Sequence, residues 1–398
     1  MPLTLLLDLD DTLLNTNLQA FIPAYFQALT KELAPHIAPE KMFRALISGT
    51  NLMNQSEDFA RTLRDVFDAD FYPQLGITKG EIDDEIEKFY DQTFPTLQGL
   101  TSPNPEAKPF VDWAFSKGFR IAIATDPLLP LKAAHHRLRW AGLDPHQFEL
   151  VTAFEAYHFS KTHSAYYAEV LGRMGWQESP ILMVGNDLER DILPAKKLGL
   201  AAYLVETEPA SSSALDADMR GTLQDLQLWF ESTDLNSLKP SYQSAEAVLG
   251  TMLATPASIN GLTEDLDDDA WKRKSSASDW TLTELICHLR DTEREIHHMQ
   301  LKLFTKREEP FIPRPDTGVW ASQRDYLHED GRSALAEFNE ARRETIALLK
   351  NISPADWERK ARHAIFGPTT FLEVAGFMAE HDRLHIHQTW ALLKKMPK

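Results

Sequence analysis

The sequence predicts an α/β part, a parallel sheet covered on both faces by helices, followed by an all-α part built as a four-helix bundle. Three observations predict it. Short continuous apolar runs alternate with helix-like segments through the first half of the chain. Past about residue 242 the alternation stops and only helical spacing remains. Between the two regimes lies NSLKPSYQSA, a polar stretch that reads as a linker, and 398 residues suffice for two domains.

LTLLLDL (Leu3 to Leu9) is a continuous apolar run, as expected for a strand buried on both faces. About a hundred residues that follow read as helical, including FIPAYFQALTKEL and KGEIDDEIEKFYDQTF. An insertion of that length between strands is a subdomain rather than a loop, here a cap over the strand ends. A helical stretch stopping at Gly118 leads into FRIAIAT (Phe119 to Thr125). HHRLRWAGL then runs through Gly142 to FELVTA, PILMVGN (Pro180 to Asn186) is a further buried strand, and AAYLV closes the series. ETEPASSSALDAD reads as a surface excursion and GTLQDLQLWF as a last helix of the first domain. The predicted domains are 1–235, with the cap at about 16–100, a linker at 236–242, and a bundle at 243–398. AEAVLGTMLATPASINGL, TLTELICHLRDTEREIHHMQLKLF, GRSALAEFNEARRETIALLKNI and TFLEVAGFMAEHDRLHIHQTWALLKK supply its four helices, the second opened by a Thr281/Glu284 capping box.

A formal net charge of −18 and a pI near 5.2 argue against a nucleic-acid surface, which would need clustered Lys and Arg. They suit a protein that handles small molecules with cations offsetting some of the acid. No apolar stretch is long enough to cross a bilayer, and the N-terminus lacks the basic and small-residue features of a signal peptide. Cys287 is the only cysteine, so no intrachain disulfide forms, and it is expected in the core. The expected compartment is the cytoplasm. Oligomeric state is not readable.

Ligands of parallel sheets bind beyond the carboxyl ends of the strands, so the polar residues there are the chemical candidates. The first strand is followed by Asp8, Asp10 and Thr12, FRIAIAT ends in Thr125, and PILMVGN leads to Asp187 and Asp191; Lys161 lies in a polar stretch between them. In this order they resemble the four motifs of the haloacid dehalogenase-like hydrolase superfamily: DLDDT, Thr125, Lys161 and GNDLERD, over roughly residues 1–230. The resemblance implies a Rossmann-like parallel sheet with a helical cap, and a Mg²⁺-dependent phosphatase for a small phosphorylated metabolite.

Like charges keep a carboxylate from attacking a phosphate dianion unless a bound Mg²⁺ neutralises both. Asp8 would then form an aspartyl-phosphate and Asp10 would act as general acid/base. Thr125 and Lys161 would hold the phosphoryl oxygens, and Asp8, Asp10, Asp187 and Asp191 would make up the magnesium set. Relatives that attack carbon lack the acid two residues after the nucleophile, since halide needs no proton; Asp10 therefore favours phosphate chemistry. The fourth motif departs from the usual Gly-Asp, because Asn186 follows Gly185. Either Asp187 serves as the ligand, the favoured reading, or Asn186 faces the metal through its amide. Asp11 is expected to turn away as a solvated or capping residue. In the cap, Asn51, Asn54, Gln55 and Arg61 face either a substrate or solvent.

In the second half, His381 and His385 are four apart and share a helix face. With His288 they make the best triad: His387 points away, and His297 and His298 lie more than two turns beyond His288. Three imidazoles with open positions suit Zn²⁺, Ni²⁺ or Fe²⁺. WTLTELICHLRDTERE and FGPTTFLEVAGFMAEHDRLHIHQ resemble a DinB-like domain over about residues 243–398. That resemblance implies a four-helix bundle with a metal at His288, His381 and His385, a site used in some members for thiol transfer or isomerisation. The alternatives to a phosphatase are a DinB-like transferase or isomerase with an accessory first domain, and a sensor that binds phosphorylated ligands without turnover.

Overall fold

A computed structural model describes residues 2–206, 219–274 and 279–396. Nearly all of the ETEPASSSALDAD excursion, residues 207–218, lies outside them. The chain clusters into two units, Met1–Tyr167 with Glu178–Pro240, and Ala168–Gln177 with Ser241–Lys398.

The first unit holds a six-stranded parallel sheet: β1 (Thr4–Leu7), β2 (Arg120–Ile123), β3 (Leu150–Val151), β4 (Ile181–Gly185), β5 (Ala201–Val205) and β6 (Met219–Gly221). Its order is β3-β2-β1-β4-β5-β6. Every residue of β1 is buried, which is why its sequence is continuously apolar. The sixth strand, Met-Arg-Gly at the sheet edge, is too short and polar to be read from sequence.

Register decides where the chemistry sits. Leu7 pairs with both Ile123 and Val184, so β1, β2 and β4 run out together. The ladder continues one residue further, with the Asp8 amide donating to the Val184 carbonyl (2.9 Å) and the Ala124 amide to that of Leu7 (2.7 Å). The strand order reverses between β1 and β4, which opens a crevice at their carboxyl ends. Between β1 and β2 the chain builds the cap from α1 (Leu18–Leu33), α2 (Pro39–Gln55) and α3 (Leu63–Leu75), continued by shorter turns to Leu100. A two-stranded pairing of Leu14–Asn15 with Ser102–Pro103 joins the points where the chain leaves for the cap and returns.

The second unit is a bundle of α4 (Ala245–Thr263), α5 (Leu282–Thr292), α6 (Gly331–Lys350) and α7 (Phe371–Lys394), in which α4 and α5 each pack on α6 and α7. Thr281 and Glu284 form the capping box that opens α5. Past Thr292 the helix widens into a π turn, Glu293–His297, before continuing as His298–Lys306. The bundle also carries a three-stranded sheet of Phe311–Ile312, Lys360–His363 and Gly367–Thr370, which the all-α reading did not include. These strands are four residues or fewer, too short for a period-two pattern to stand out.

One buried side chain ties all four helices together. The Arg342 guanidinium on α6 donates to both Glu293 oxygens after α5 (2.8 Å each), to both Asp382 oxygens on α7 (2.5 and 3.1 Å), and to the Met252 carbonyl on α4 (2.8 Å). Breaking such a buried cluster by removing one partner costs about 3–5 kcal/mol, because a charge is left unpaired in the interior. Among the described residues no helix is long and apolar enough to cross a membrane.

Candidate functional site

Asp8 emerges from β1 buried, 5% exposed. The Lys161 ammonium, 2% exposed, lies between two carboxylates: it donates to Asp8 Oδ1 (2.5 Å) and pairs with Asp191. A π turn, Leu188–Ile192, brings Asp191 back under the end of β4, where its Oδ2 accepts the Asp187 amide (3.0 Å). Gly185 makes room for this, since a Cβ there would stand 2.3 Å from Asp191 Oδ2. The Thr12 hydroxyl donates to Asp8 Oδ2 (2.9 Å).

Asp10 is held separately. Its Oδ1 accepts the Thr16 hydroxyl (2.8 Å) and its Oδ2 pairs with the buried Arg137. Asp11 adopts a left-handed φ of 59°, and its Oδ1 accepts the Thr16 and Asn17 amides (2.7 and 3.2 Å). It braces the loop that leads into α1, whose N-cap is Asn17. Thr125 lines the cavity under the cap, its loop fixed by hydroxyls of Thr152 (2.6 Å) and Tyr166 (2.7 Å) donating to its carbonyl.

Two residues of the expected magnesium set have other partners here. Asp187 caps the π turn, its Oδ1 accepting the amides of Glu189 (2.9 Å) and Arg190 (3.1 Å). Asp191 is engaged by Lys161. Asn186 is the residue that faces Asp8 and Asp10. With its nitrogen inward, the amide donates to the Asp10 carbonyl (3.0 Å) and to Asp8 Oδ2 (3.3 Å). Turned over, it presents an oxygen at the same place. Asp8, the Asp10 carbonyl and Asn186 thus offer an all-oxygen donor set, which fits a hard divalent cation.

Sequence reasoning missed Arg137, Asp126 and Arg190. Asp126 accepts the Lys161 amide (3.2 Å) and pairs with Arg190. It directly follows Thr125 at a strand end, so the rule that selected Thr125 could have found it. Arg137 sits in LKAAHHRLRW, where nothing local distinguishes it from Arg139. Of the four cap candidates only Asn54 lines the cavity; Asn51, Gln55 and Arg61 are exposed, and Arg61 pairs with Asp58 (2.8 Å).

In the second unit His288 Nε2 lies 3.1 Å from His381 Nε2, which lies 3.0 Å from His385 Nε2. Ligand nitrogens 2.0–2.1 Å from a tetrahedral ion stand about 3.3–3.4 Å apart, so movements of a few tenths of an ångström admit one. His385 Nδ1 bonds to Gln388 Oε1 (2.8 Å), which leaves its Nε2 as the acceptor; among the described residues, the Nδ1 atoms of His288 and His381 are buried without a partner. The residues fit a transition metal. His387 instead stacks on Trp390, as its position predicts. His297 needs a correction: its ring comes within 5.7 Å of that of His381, because the wider π turn swings it toward the cluster. Its Nδ1 bonds to Glu293 (2.8 Å), linking it to Arg342. Cys287 is fully buried, and burial above all pushes its thiol up to about 12.

Residues 3–199 match the haloacid dehalogenase-like hydrolase family, and residues 252–389 match the DinB superfamily. The chain joins a haloacid dehalogenase-like hydrolase domain to a DinB domain. It is 26% identical over 140 residues, 35% of this chain and 80% of the relative, to a protein of Oceanobacillus iheyensis whose name proposes a metal-dependent hydrolase. YfiT from Bacillus subtilis, described as having an unusual four-helix bundle topology, is 22% identical, with 39% of this chain and 89% of that one covered at a TM-score of 0.36. A HAD phosphatase from Thermococcus onnurineus is 19% identical, covering 58% of this chain and 98% of that one at 0.38. A 2-haloacid dehalogenase from Pseudomonas syringae pv. Tomato DC3000 is 20% identical, covering 58% and 99% at 0.42.

The two domains tune their donors in opposite ways. In the DinB domain burial, then the neighbouring imidazoles, lower His288 to about 4 and His381 well below its usual value, and burial foremost takes His385 to about 3; all three are held neutral at pH 7. In the hydrolase domain burial raises Asp8 to about 7, reinforced by Asp191 and Asp10 and opposed by Lys161. Between the unfolded value of 3.8 and about 7, the folded state therefore holds a proton that the unfolded chain has lost. Stability of the cation-free protein falls as pH rises through that window. Asp8→Asn removes the burden, so in a chelator its melting temperature should exceed that of the wild type at pH 8, with a much smaller gap at pH 5. A gap independent of pH in thermal melts would contradict this electrostatic account.

Proposed function

We propose that the hydrolase domain is a Mg²⁺-dependent phosphatase that works through an aspartyl-phosphate on Asp8. The observation that carries the reading is the separate handling of two acids two positions apart: Asp8 lies against Lys161, while Asp10 is fixed by Arg137 and Thr16. Asp8, the Asp10 carbonyl and Asn186 would hold the cation, which supplies charge neutralisation between carboxylate and phosphate dianion. A neutral amide in place of a third carboxylate makes that affinity modest.

Asp8 attacks phosphorus and the bond to the leaving oxygen breaks, while Asp10 gives that oxygen its proton. Asp10 then takes a proton from the water that attacks the aspartyl-phosphate, releasing orthophosphate and restoring the Asp8 carboxylate. Lys161 and the Thr125 hydroxyl meet the equatorial oxygens, where charge concentrates in the transition state. Arg137 and Thr16 keep Asp10 aimed at the leaving oxygen and act as positioning residues.

In the DinB domain His288, His381 and His385 would hold a Zn²⁺, Ni²⁺ or Fe²⁺ ion with positions left open for water or substrate. The name of the Oceanobacillus relative supports metal dependence there. A second reading, in which this domain carries the main reaction, is favoured by the His297–Glu293 pair beside the cluster.

With acetyl phosphate or an aryl phosphate and Mg²⁺, Asp8→Asn should lose at least about 10³-fold of the phosphate release, and Asp10→Asn about 10²–10⁴-fold, the usual worth of a general acid/base. Asp11→Asn should stay within about twofold, a surface-scale effect. Equal release by wild type and Asp8→Asn would overturn the mechanism. Elemental analysis of the purified protein checks the second site: His381→Ala should lose most of the bound transition metal, and unchanged content would count against the triad.

A further inference from the structure

The cap covers a partly open cavity of about 640 Å³ over the ends of β1, β2 and β4, with Asp8, Asp10, Thr125, Lys161 and Asn186 at one end. Away from that end Ile22, Phe26 and Leu29 of α1, Phe67 and Phe71 of α3, and Leu129 form the apolar part of its walls, and charged side chains such as Arg64, Asp83 and Glu155 line the remainder. Phe67 stacks on Phe71 at 4.7 Å, giving a continuous aromatic surface.

Several of the polar side chains in these walls are already engaged with one another. The Tyr25 and Tyr90 hydroxyls share a hydrogen bond (2.8 Å), Lys79 pairs with Asp68 (2.9 Å), Lys132 with Glu87, and Arg190 with Asp126. Among the described residues, Asn54 Oδ1 is buried without a partner. A sugar or a nucleotide would bring many hydroxyl and ring polar groups into such a space, and each one buried without a partner counts against binding. An apolar body loses nothing there and gains from leaving water.

We propose that the substrate is a phosphate monoester of an apolar alcohol, alkyl or aryl, and that the cap cavity selects it against phosphosugars and nucleotides. A cavity of 640 Å³ has the volume of roughly twenty waters, which sets an upper size of about twenty non-hydrogen atoms for the whole ester. This inference rests on the phosphatase reading above, because it places the phosphoryl group at Asp8.

The test uses the full-length protein with Mg²⁺ and two readouts. The first is kcat/KM for straight-chain alkyl phosphates of increasing length, for phenyl and naphthyl phosphates, and for glycerol 3-phosphate and ribose 5-phosphate. The second is calorimetric affinity for the matching alkyl phosphonates, which cannot be hydrolysed. Each added methylene should raise kcat/KM by up to about fourfold until the cavity is full. The best alkyl or aryl ester should exceed both polyol phosphates by about 100-fold or more, and a lead of the naphthyl over the equally sized alkyl ester would assign an aryl body. Phe67→Ser should flatten the chain-length trend, while phosphonate binding to the wild type keeps the test decisive if that variant does not fold. Turnover of small esters with no dependence on chain length, or a preference for the polyols, overturns the substrate class alone. Length-dependent phosphonate binding without turnover of any ester upholds the ligand class and overturns the phosphatase reading. Flat binding without turnover overturns both.

Discussion

The Lys161 ammonium between Asp8 and Asp191 is the interaction on which the hydrolase domain depends. Three charged groups taken out of water would each be costly alone. Held together they offset one another and leave Asp8 buried yet reachable from the cavity. Everything that places the trio is backbone geometry: in-register β1 and β4, a glycine at 185, and a π turn that returns Asp191 beneath the strand end. The DinB domain has a counterpart in Arg342, whose guanidinium is shared by Glu293 and Asp382 at the crossing of four helices. In both units a buried cation between two acids fixes the elements that carry the site.

The same arithmetic of burial gives the two sites their distinct characters. At the strand ends burial and neighbouring acids lift Asp8 toward neutral pH, so the site is short of positive charge. A divalent cation among oxygen donors answers that need. In the bundle, burial strips protons from three imidazoles and leaves lone pairs facing one point. Softer metals suit such donors. Asp8 and Asp10 also differ from each other although both are acids at the end of one strand. Asp8 lies against an ammonium it shares with Asp191, and Asp10 has its own guanidinium in Arg137. On the proposed phosphatase reading, these unequal partners would separate a carboxylate that attacks from one that moves protons.

Features set by one element were legible in the sequence, and features set by the meeting of two elements were not. β1 was readable because burial on both faces leaves only apolar residues. His381 and His385 were readable because four residues return to one helix face. The choice between Asn186 and Asp187 depends on how far β4 runs against β1 and on a widened turn that follows it, and neither leaves a local pattern. His297 lies more than two turns beyond His288, and its ring nonetheless comes within 5.7 Å of that of His381 at the π turn after α5. Arg137 reaches Asp10 across 127 positions of sequence, a contact no spacing rule contains. In the cap, Asn54 faces the cavity while Asn51 and Gln55 are exposed, a distinction set by how α2 packs.

The central claim is that Asp8 becomes covalently phosphorylated, and trapping that bond tests it most directly. An aspartyl-phosphate is reduced by borohydride to homoserine, whereas a free carboxylate is not. Peptide mapping by mass spectrometry after borohydride quenching of the Mg²⁺-loaded protein during turnover should find homoserine at position 8 and unmodified aspartate at positions 10 and 11. Phosphate release without conversion at position 8, or conversion at position 10 instead, would contradict the account.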